Sequence, residues 1–518
     1  MIMKIKNISV KLRLPLLLML FSTQIAESQN KDEPIVLSLA QSIDVALNKS
    51  YSIMALQQSN LWAERNLWAA RAGYRTNASS SIYAPIYNEG FRLIEVVDGN
   101  PVPKQFGDFR VRGVLDINQP MPWLPFGGGT LTFRSEAYQM NSWTPSLFDP
   151  DTDLKSNQFY TSLSLRMTKP LFTINQLALN LKQAELSYER QYRIFKRSEL
   201  DLVYQVTAAF FHLYRNKQEL MINQEKVQRQ ESIYGTTKNK FEAGLIAEVD
   251  AMQAEVDLIQ YKNELKASEA QLLQQKALFK QLVGLDLDQA MDVVVDLELK
   301  PVYIDVEKAV ALGLANRSEI AESRIDIENN KISIQEIDAF VSIRGNLTGY
   351  YDLAGFSDPT ILYGASTSDL FQSSWEVLKK TPNRGITFEL EVPIWDWGRN
   401  KAQVDAAKAN LKRAELGLDD LYVTIEREVT DVVRSVYQAF DRVQMLEKSK
   451  IVSEKSFDIS LQRFANGDIT SVELAFDNER LNTAKISFLS AYIEYQLALA
   501  DLKRKTLFDF ENNRSLVE

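Results

Sequence analysis

Cysteine is absent from all 518 residues. That excludes disulfides, thiol catalysis, cysteine metal centres and a lipid anchor on an N-terminal cysteine. Histidine is nearly as scarce. His212 stands alone, and one imidazole without partners makes neither a metal site nor an acid–base pair, so it reads as a packed or solvated residue. No Ser-His pairing, phosphate loop or metal-ligand spacing accompanies it, which argues against an enzyme and against any cofactor or metal. Positive charge is not in surplus either. The net charge is −9 and the pI about 5.2, with both signs interspersed, so there is no basic field for nucleic acid. No stretch approaches about 18 uninterrupted apolar residues, so no transmembrane helix is expected. Proline is missing from Leu171 to Lys300 and again from Ile394 onward, gaps that suit long helices.

What is present begins with an export signal. Lys4, Lys6, Lys11 and Arg13 precede the apolar run Leu14 to Phe21, and small residues at Ala26 and Ser28 offer a cleavage point. Residues 1–28 are therefore expected to be a signal peptide.

The chain then contains itself twice. An offset of 223 carries Pro170 onto Pro393, Ala184 onto Ala407, Val206-Thr207 onto Val429-Thr430, Tyr214 onto Tyr437, Phe241 onto Phe464 and Gly244 onto Gly467. An offset of 267 carries Ile53 onto Ile320, Ala72 onto Ala339 and Tyr83 onto Tyr350. The first half thus holds 44 more residues between Tyr83 and Pro170. A long repeat sets the architecture: one pseudo-symmetric body, with a first repeat over 29–300 and a second over 301–518. The surplus, an insert at about 84–157, reads either as an elaborated loop or as a hairpin adding two crossings.

Within the proline-free tracts apolar residues recur at helical spacing: Val203, Val206, Phe210, Leu213, then Val429, Val433, Val436, Phe440, Val443. Each tract breaks once, at Phe241-Glu-Ala-Gly244 and Phe464-Ala-Asn-Gly467, where glycine suits a left-handed helix end. The first long helix is predicted over about 171–234 and its return over 246–283; a β-rich belt at 291–301 precedes another helix over about 306–339. Before each long helix the period changes to two. Phe159, Thr161, Leu163, Leu165 and Met167 alternate with polar neighbours, as do Ile386, Phe388, Leu390 and Val392, the pattern and length of membrane strands. Their partners are Thr76 to Tyr83 and Ser342 to Tyr351. Aromatics gather at the strand ends (Tyr83, Tyr87, Phe159, Phe172, Tyr350, Tyr351, Trp395, Trp397), as interfacial girdles do.

Several ordered segments carry a family likeness: the junctions Lys169-Pro170-Leu171-Phe172 and Val392-Pro393-Ile394-Trp395-Asp396-Trp397-Gly398-Arg399, the repeat starts at Ala40 to Asn48 and Glu307 to Asn316, and the returns from Gly244 and Gly467. In duplicate, this set resembles the TolC-type outer membrane efflux protein family over nearly all of the mature chain. The resemblance implies a mostly α fold with membrane β: a duplicated unit of long antiparallel periplasmic helices plus transmembrane β-strands, assembled as a trimeric β-barrel continued by an α-helical barrel. Each protomer would give four strands. It implies a homotrimer embedded in outer-membrane lipid of a Gram-negative cell, with most of the chain in the periplasm. It further implies an export channel serving an inner-membrane pump through a periplasmic adaptor. A conduit for type I protein secretion is the alternative; a non-channel periplasmic adaptor and a structural envelope protein are rivals. By position, the resemblance makes Glu473, Asp477, Asp250 and Glu255 candidates for the periplasmic aperture, with Phe476 standing where a second acid is expected. It makes Phe241, Gly244, Leu245, Phe464, Gly467 and Asp468 candidates for adaptor docking, and Pro170, Phe172, Pro393, Trp395 and Gly398 the strand–helix junctions.

Overall fold

A computed structural model describes residues 35–94, 101–125, 127–146, 152–295, 299–358, 365–380 and 382–516. The expected signal peptide lies outside them. The chain opens with β1 (Ile35–Leu37), α1 (Leu39–Lys49) and α2 (Tyr51–Ala72), and four long strands follow: β2 (Asn77–Ile94), β3 (Val102–Pro120), β4 (Thr130–Pro145) and β5 (Asp153–Leu171). Then come α3 (Gln176–Glu242), α4 (Glu248–Val283), β6 (Met291–Val293), α5 (Val306–Asn316) and α6 (Ser318–Val341). The second half continues with β7 (Arg344–Phe356), α7 (Thr367–Leu378), β8 (Pro382–Glu391), α8 (Arg399–Asn466), α9 (Ser471–Thr506) and a small hairpin of β9 (Phe508–Asp509) and β10 (Arg514–Ser515).

The two longest helices have 67 and 68 residues, about 100 Å each at 1.5 Å per residue. α3 runs to Glu242, further than the sequence suggested, because nothing in Gly235 or its neighbours breaks a ladder whose buried side, Ile233 and Thr237, stays continuous. Shorter helices line the two long ones: α2 and α4 flank α3, while α6 and α9 pack against both α3 and α8. Near the middle, β1 and β6 pair in parallel from Ile35 with Met291 to Leu37 with Val293, forming the belt. Two cores meet there, and they are repeat mates. Val206, Phe210 and Leu213 centre the first; Val429, Val433 and Val436 centre the second.

The upper helices do not run straight. The expected helix over 306–339 divides at Arg317, which is extended at φ −68, ψ 125, and the matching break in the first half is Ser50 at φ −63, ψ 134. Neither is glycine or proline. Ser50 caps α2 with its own hydroxyl, and Arg317 is held by Glu319 at 2.7 Å and Glu428 at 2.8 Å. Gly284 closes α4 against the first break. Its φ is +79, and a Cβ there would stand 2.3 Å from the Lys49 carbonyl oxygen, so both backbone angle and space require glycine.

The long strands form one antiparallel sheet in the order β2, β3, β4, β5, β7, β8. Among the described residues this sheet therefore has six strands rather than the four expected, and the insert is a hairpin within the sheet rather than a loop above it. Register fixes the faces, since residues paired across antiparallel strands point to the same side. Leu163 pairs with Leu353, Leu165 with Phe133, and Leu347 with Phe388 on an apolar face. Arg166 pairs with Thr132 and Tyr350, and Glu389 with Asn346, on the polar one. Two of the expected girdle aromatics move with this register. Tyr83 pairs with Arg112 and Tyr350 with Arg166, which puts both on the polar face. The short helix α7, capped by Ser366 and Asp369, covers the far end of the apolar face, where Ser374 meets Thr161 at 2.8 Å and Phe371 stacks edge-on against Phe159.

Candidate functional site

At the end of the helices remote from the sheet, both reversals are built alike. Gly244 (φ +73) and Gly467 (φ +88) take the left-handed position, with open space where a Cβ would be. The following amides bond back, Leu245 N–H to the Lys240 carbonyl at 2.8 Å and Asp468 N–H to the Arg463 carbonyl at 2.9 Å. This is the paired reverse bonding that closes a helix on glycine. The aromatic mates Phe241 and Phe464 part company here. Phe464 is only 5% exposed, in a cluster with Ile233, Phe457, Leu474 and Leu481, whereas Phe241 is 37% exposed. Lys240 explains the difference: its ammonium donates to the Phe464 carbonyl at 2.6 Å and sits 4.4 Å over that ring, pinning one tip to the other. Of the docking candidates, Phe241, Gly244, Leu245, Gly467 and Asp468 are at the surface and Phe464 is core.

The acids divide similarly. Glu473 is the third residue of α9 and accepts the Thr470 N–H at 3.0 Å while the Thr470 hydroxyl accepts the Glu473 N–H. That reciprocal cap is a sufficient structural reason for a glutamate there. Asp250 occupies the same place in α4, but the residue before that helix, Ala247, offers no side-chain cap. Glu255 is exposed one turn further on. Asp477 is turned inward to accept from Ser460 of α8.

Between the tips and the belt lies a polar join that the sequence did not announce. Arg229 of α3 reaches Asn478 at 2.9 Å and Asn482 at 2.6 Å on α9, and Glu225 meets Lys485 at 2.8 Å. Lys226 is 4% exposed and stands between Glu264 of α4 at 2.8 Å and Glu479 of α9 at 2.7 Å, with its ammonium 3.8 Å over Tyr261. Asn478 and Asn482, buried amides one turn apart on an otherwise apolar stripe, were the available signal.

At the other end, Phe172 (φ +60) and Trp397 (φ +57) turn the chain from strand to helix. Trp395 and Trp397 are 75% and 89% exposed in the single chain, with rings 5.1 Å apart. Pro170 still pairs within the sheet opposite Asn346, and Pro393 follows the end of β8. Gly398 (φ +79) enters α8, whose first amides are taken by Asp396, from Gly398 at 2.9 Å and Asn400 at 3.0 Å. His212 sits half-buried on α3; burial, then the nearby Arg215, holds its imidazole below the ordinary value. Among the described residues no group of three or more His, Asp or Glu could hold a metal, and no helix is long and apolar enough to cross a membrane.

The family model for outer membrane efflux proteins matches residues 130–285 and 367–506, more than half of the chain and both tips. The chain belongs to the outer membrane efflux protein family. Its fold is similar to the Campylobacter jejuni CmeC outer membrane channel, with a TM-score of 0.65 at 13% identity over 93% of this chain and 87% of that one. It is similar also to the outer membrane protein VceC from Vibrio cholerae, with a TM-score of 0.62 at 15% identity over 90% of this chain and 95% of that one. Nodulation protein T of Rhizobium leguminosarum bv. trifolii is 19% identical over 320 residues, which span 61% of this chain and 65% of that relative's length. As an outer membrane efflux protein the chain is a non-enzymatic channel component of the Gram-negative outer membrane, and its helices and antiparallel sheet are those of TolC-like channels.

Proposed function

We propose that three copies close into a ring whose sheets form a transmembrane barrel and whose helices form a periplasmic tunnel. Through it substrates leave the cell, delivered by an inner-membrane pump and a periplasmic adaptor. The observation that carries this reading is that each protomer is left unfinished along both sides, from top to bottom. In the lower half the helices lie in the order α4, α3, α9, α8, and above the belt in the order α2, α3, α6, α8. One side is therefore β2, α2 and α4, and the other is β8 and α8. Both sheet edges have open ladders, and an unpaired backbone group in hydrocarbon costs several kcal/mol. Both helical sides carry exposed apolar residues at coiled-coil spacing: Met54, Leu61, Trp68 on α2; Leu245, Val249, Met252, Val256, Ile259 at the start of and along α4; Leu416, Val423, Met445, Val452, Ile459 on α8. Burying each stabilises by roughly 1.5–3 kcal/mol. One side suits the other head to tail, and a rotation that closes makes a ring.

In that ring the Glu473 and Asp250 carboxylates stand at one level near the mouth, where threefold acids favour cations; Glu255 and Asp477 are the lesser contributors. Phe241 and Leu245, apolar and exposed at the tip, suit an adaptor, with Gly244, Gly467 and Asp468 shaping the surface it meets. Purified protein in planar bilayers tests the reading: detergent-stable trimers are expected to give discrete pore currents, and trimers without pores would sink it. The aperture is tested by Glu473→Gln, since glutamine keeps the capping bond and removes the charge. Cation preference is expected to fall with thermal stability unchanged; an unaltered reversal potential takes Glu473 out of the aperture.

A further inference from the structure

We propose that the inserted hairpin β3–β4 spans the membrane as two further staves, six per protomer and eighteen in the trimer, making the barrel as wide as the helical tunnel beneath it. The inference rests on the channel reading above and adds the wall's construction. The repeat identifies the insertion. Tyr83 of β2 answers to Tyr350 of β7, and Pro170 of β5 to Pro393 just after β8, yet β7 and β8 pair directly while β2 and β5 do not. The hairpin stands between them, and its length from Val102 through Pro145 equals the 44-residue surplus.

Its ladders run the full height of the sheet. They begin beside the helices, with Asn77 opposite Asn118 and Thr130 opposite Thr168, and end at the far edge, with Ile94 opposite Val102 and Pro145 opposite Asp153. The turn is fastened at the strand–helix junction. Asn175, which caps α3 by accepting from Ala178, also donates to the Pro122 carbonyl at 2.9 Å, and a Cβ on Gly127 would lie 3.0 Å from Thr173 and 3.2 Å from Pro170.

The faces are in phase with the rest of the sheet. Phe109, Val111, Leu115 and Ile117 on β3 and Leu131 and Phe133 on β4 share the side of Leu163, Leu165 and Met167. Arg112, Asp116, Arg134 and Glu136 share the side of Arg166. These charges are paired across strands, Arg112 with Glu136 at 2.8 Å and Arg134 with Asp116 at 2.6 Å. A flap lying in water has no need of an apolar face, least of all one in register with lipid-facing strands; a stave requires it.

Width gives an independent argument. Strands about 4.8 Å apart and tilted about 40° cover about 6.3 Å of circumference each. Six then cover about 38 Å of wall and four about 25 Å. Four helical rods per protomer, at about 9 Å between axes, cover about 36 Å. The comparison holds per protomer, whatever the number of copies. On these spacings six strands span about the same width as the four helical rods.

Because the chain has no cysteine, single cysteines report cleanly. In liposome-embedded, pore-forming trimers of the full chain, Thr132→Cys and Met140→Cys are expected to react with a charged, membrane-impermeant thiol reagent. Leu115→Cys and Phe133→Cys are expected to react at least tenfold more slowly and to be quenched by a probe carried on lipid tails. Equal reactivity at all four overturns the inference. Single-particle images of unmodified trimers give a second readout, needing no substitution: a barrel about 36 Å across its backbone is expected, against about 24 Å for twelve strands. A narrow barrel with the hairpin outside it overturns the inference as well. Absence of any trimeric pore would overturn the channel reading instead.

Discussion

Replacing Val452 and Ile459 together by arginine is expected to give a folded chain that remains a monomer. Both side chains lie one heptad apart on an exposed side of α8 that none of the other described elements covers. Their removal costs the single chain almost nothing, and circular dichroism is expected to keep its helical signal. In a ring the same positions face the α4 flank of the next copy, and each of three seams would have to bury two guanidinium groups without partners. A buried unpaired charge costs several kcal/mol, so six of them outweigh what the remaining apolar contacts supply. Native electrophoresis and sedimentation in detergent read the result directly. A variant that still runs as a trimer would remove α8 from the seam and leave the ring without its helical contact.

The features legible in the sequence were those that repeat. An offset of 223 fixed the tips, the long helices and the junctions because helix ends and strand starts depend on local chemistry: Gly244 and Gly467 for φ, and alternation at Phe159 to Met167. The breaks at Ser50 and Arg317 were hidden because neither position carries the glycine or proline that marks a break along a chain. Ser50 breaks by turning its hydroxyl onto its own helix start, and Arg317 by partners on α6 and α8 that local sequence cannot place. The insert stayed ambiguous because its strands alternate through charged residues whose pairing, Arg112 with Glu136 and Arg134 with Asp116, exists only once β3 and β4 are side by side. Phe241 and Phe464 match perfectly along the chain yet differ in burial, since duplication copies residues but not neighbours. The α7 helix was missed although Ser366 and Asp369 form a recognisable capping box, because the repeat assigned that stretch to a connection.

The join between α3 and α9 yields the other large expected effect. Lys226→Ala combined with Arg229→Ala is expected to raise single-channel conductance several-fold at neutral pH. Arg229 gives two hydrogen bonds to Asn478 and Asn482, and Lys226 bridges Glu264 and Glu479 from a buried position. Charge-assisted bonds of this kind contribute about 1.5–3 kcal/mol each, and they join the Lys240 contact and the apolar cluster around Ile233 in tying the first coil to the second below the belt. Without them the tips are expected to part more readily, which in the proposed ring widens the mouth. The same contacts give the unmodified protein a definite response to acid. The Lys485 ammonium, hydrogen-bonded to Glu225, holds that carboxyl below the usual carboxylate range. Burial pushes Glu264 upward, but the hydrogen bonds from Lys226 and Gln260 together with the Lys226 charge leave it lowered too. A carboxylate with a lowered folded-state value contributes in full above its unfolded value and loses that contribution as pH falls through the folded one. Conductance of the unmodified channel is therefore expected to stay level from neutral pH down to the ordinary carboxylate range and to climb only below it. The double variant, already open, is expected to show little further rise. If its neutral-pH conductance matches that of the unmodified channel, the join is structural and the mouth is held elsewhere. A rise in the unmodified channel that begins near pH 7 would place the sensitive group outside Glu225 and Glu264.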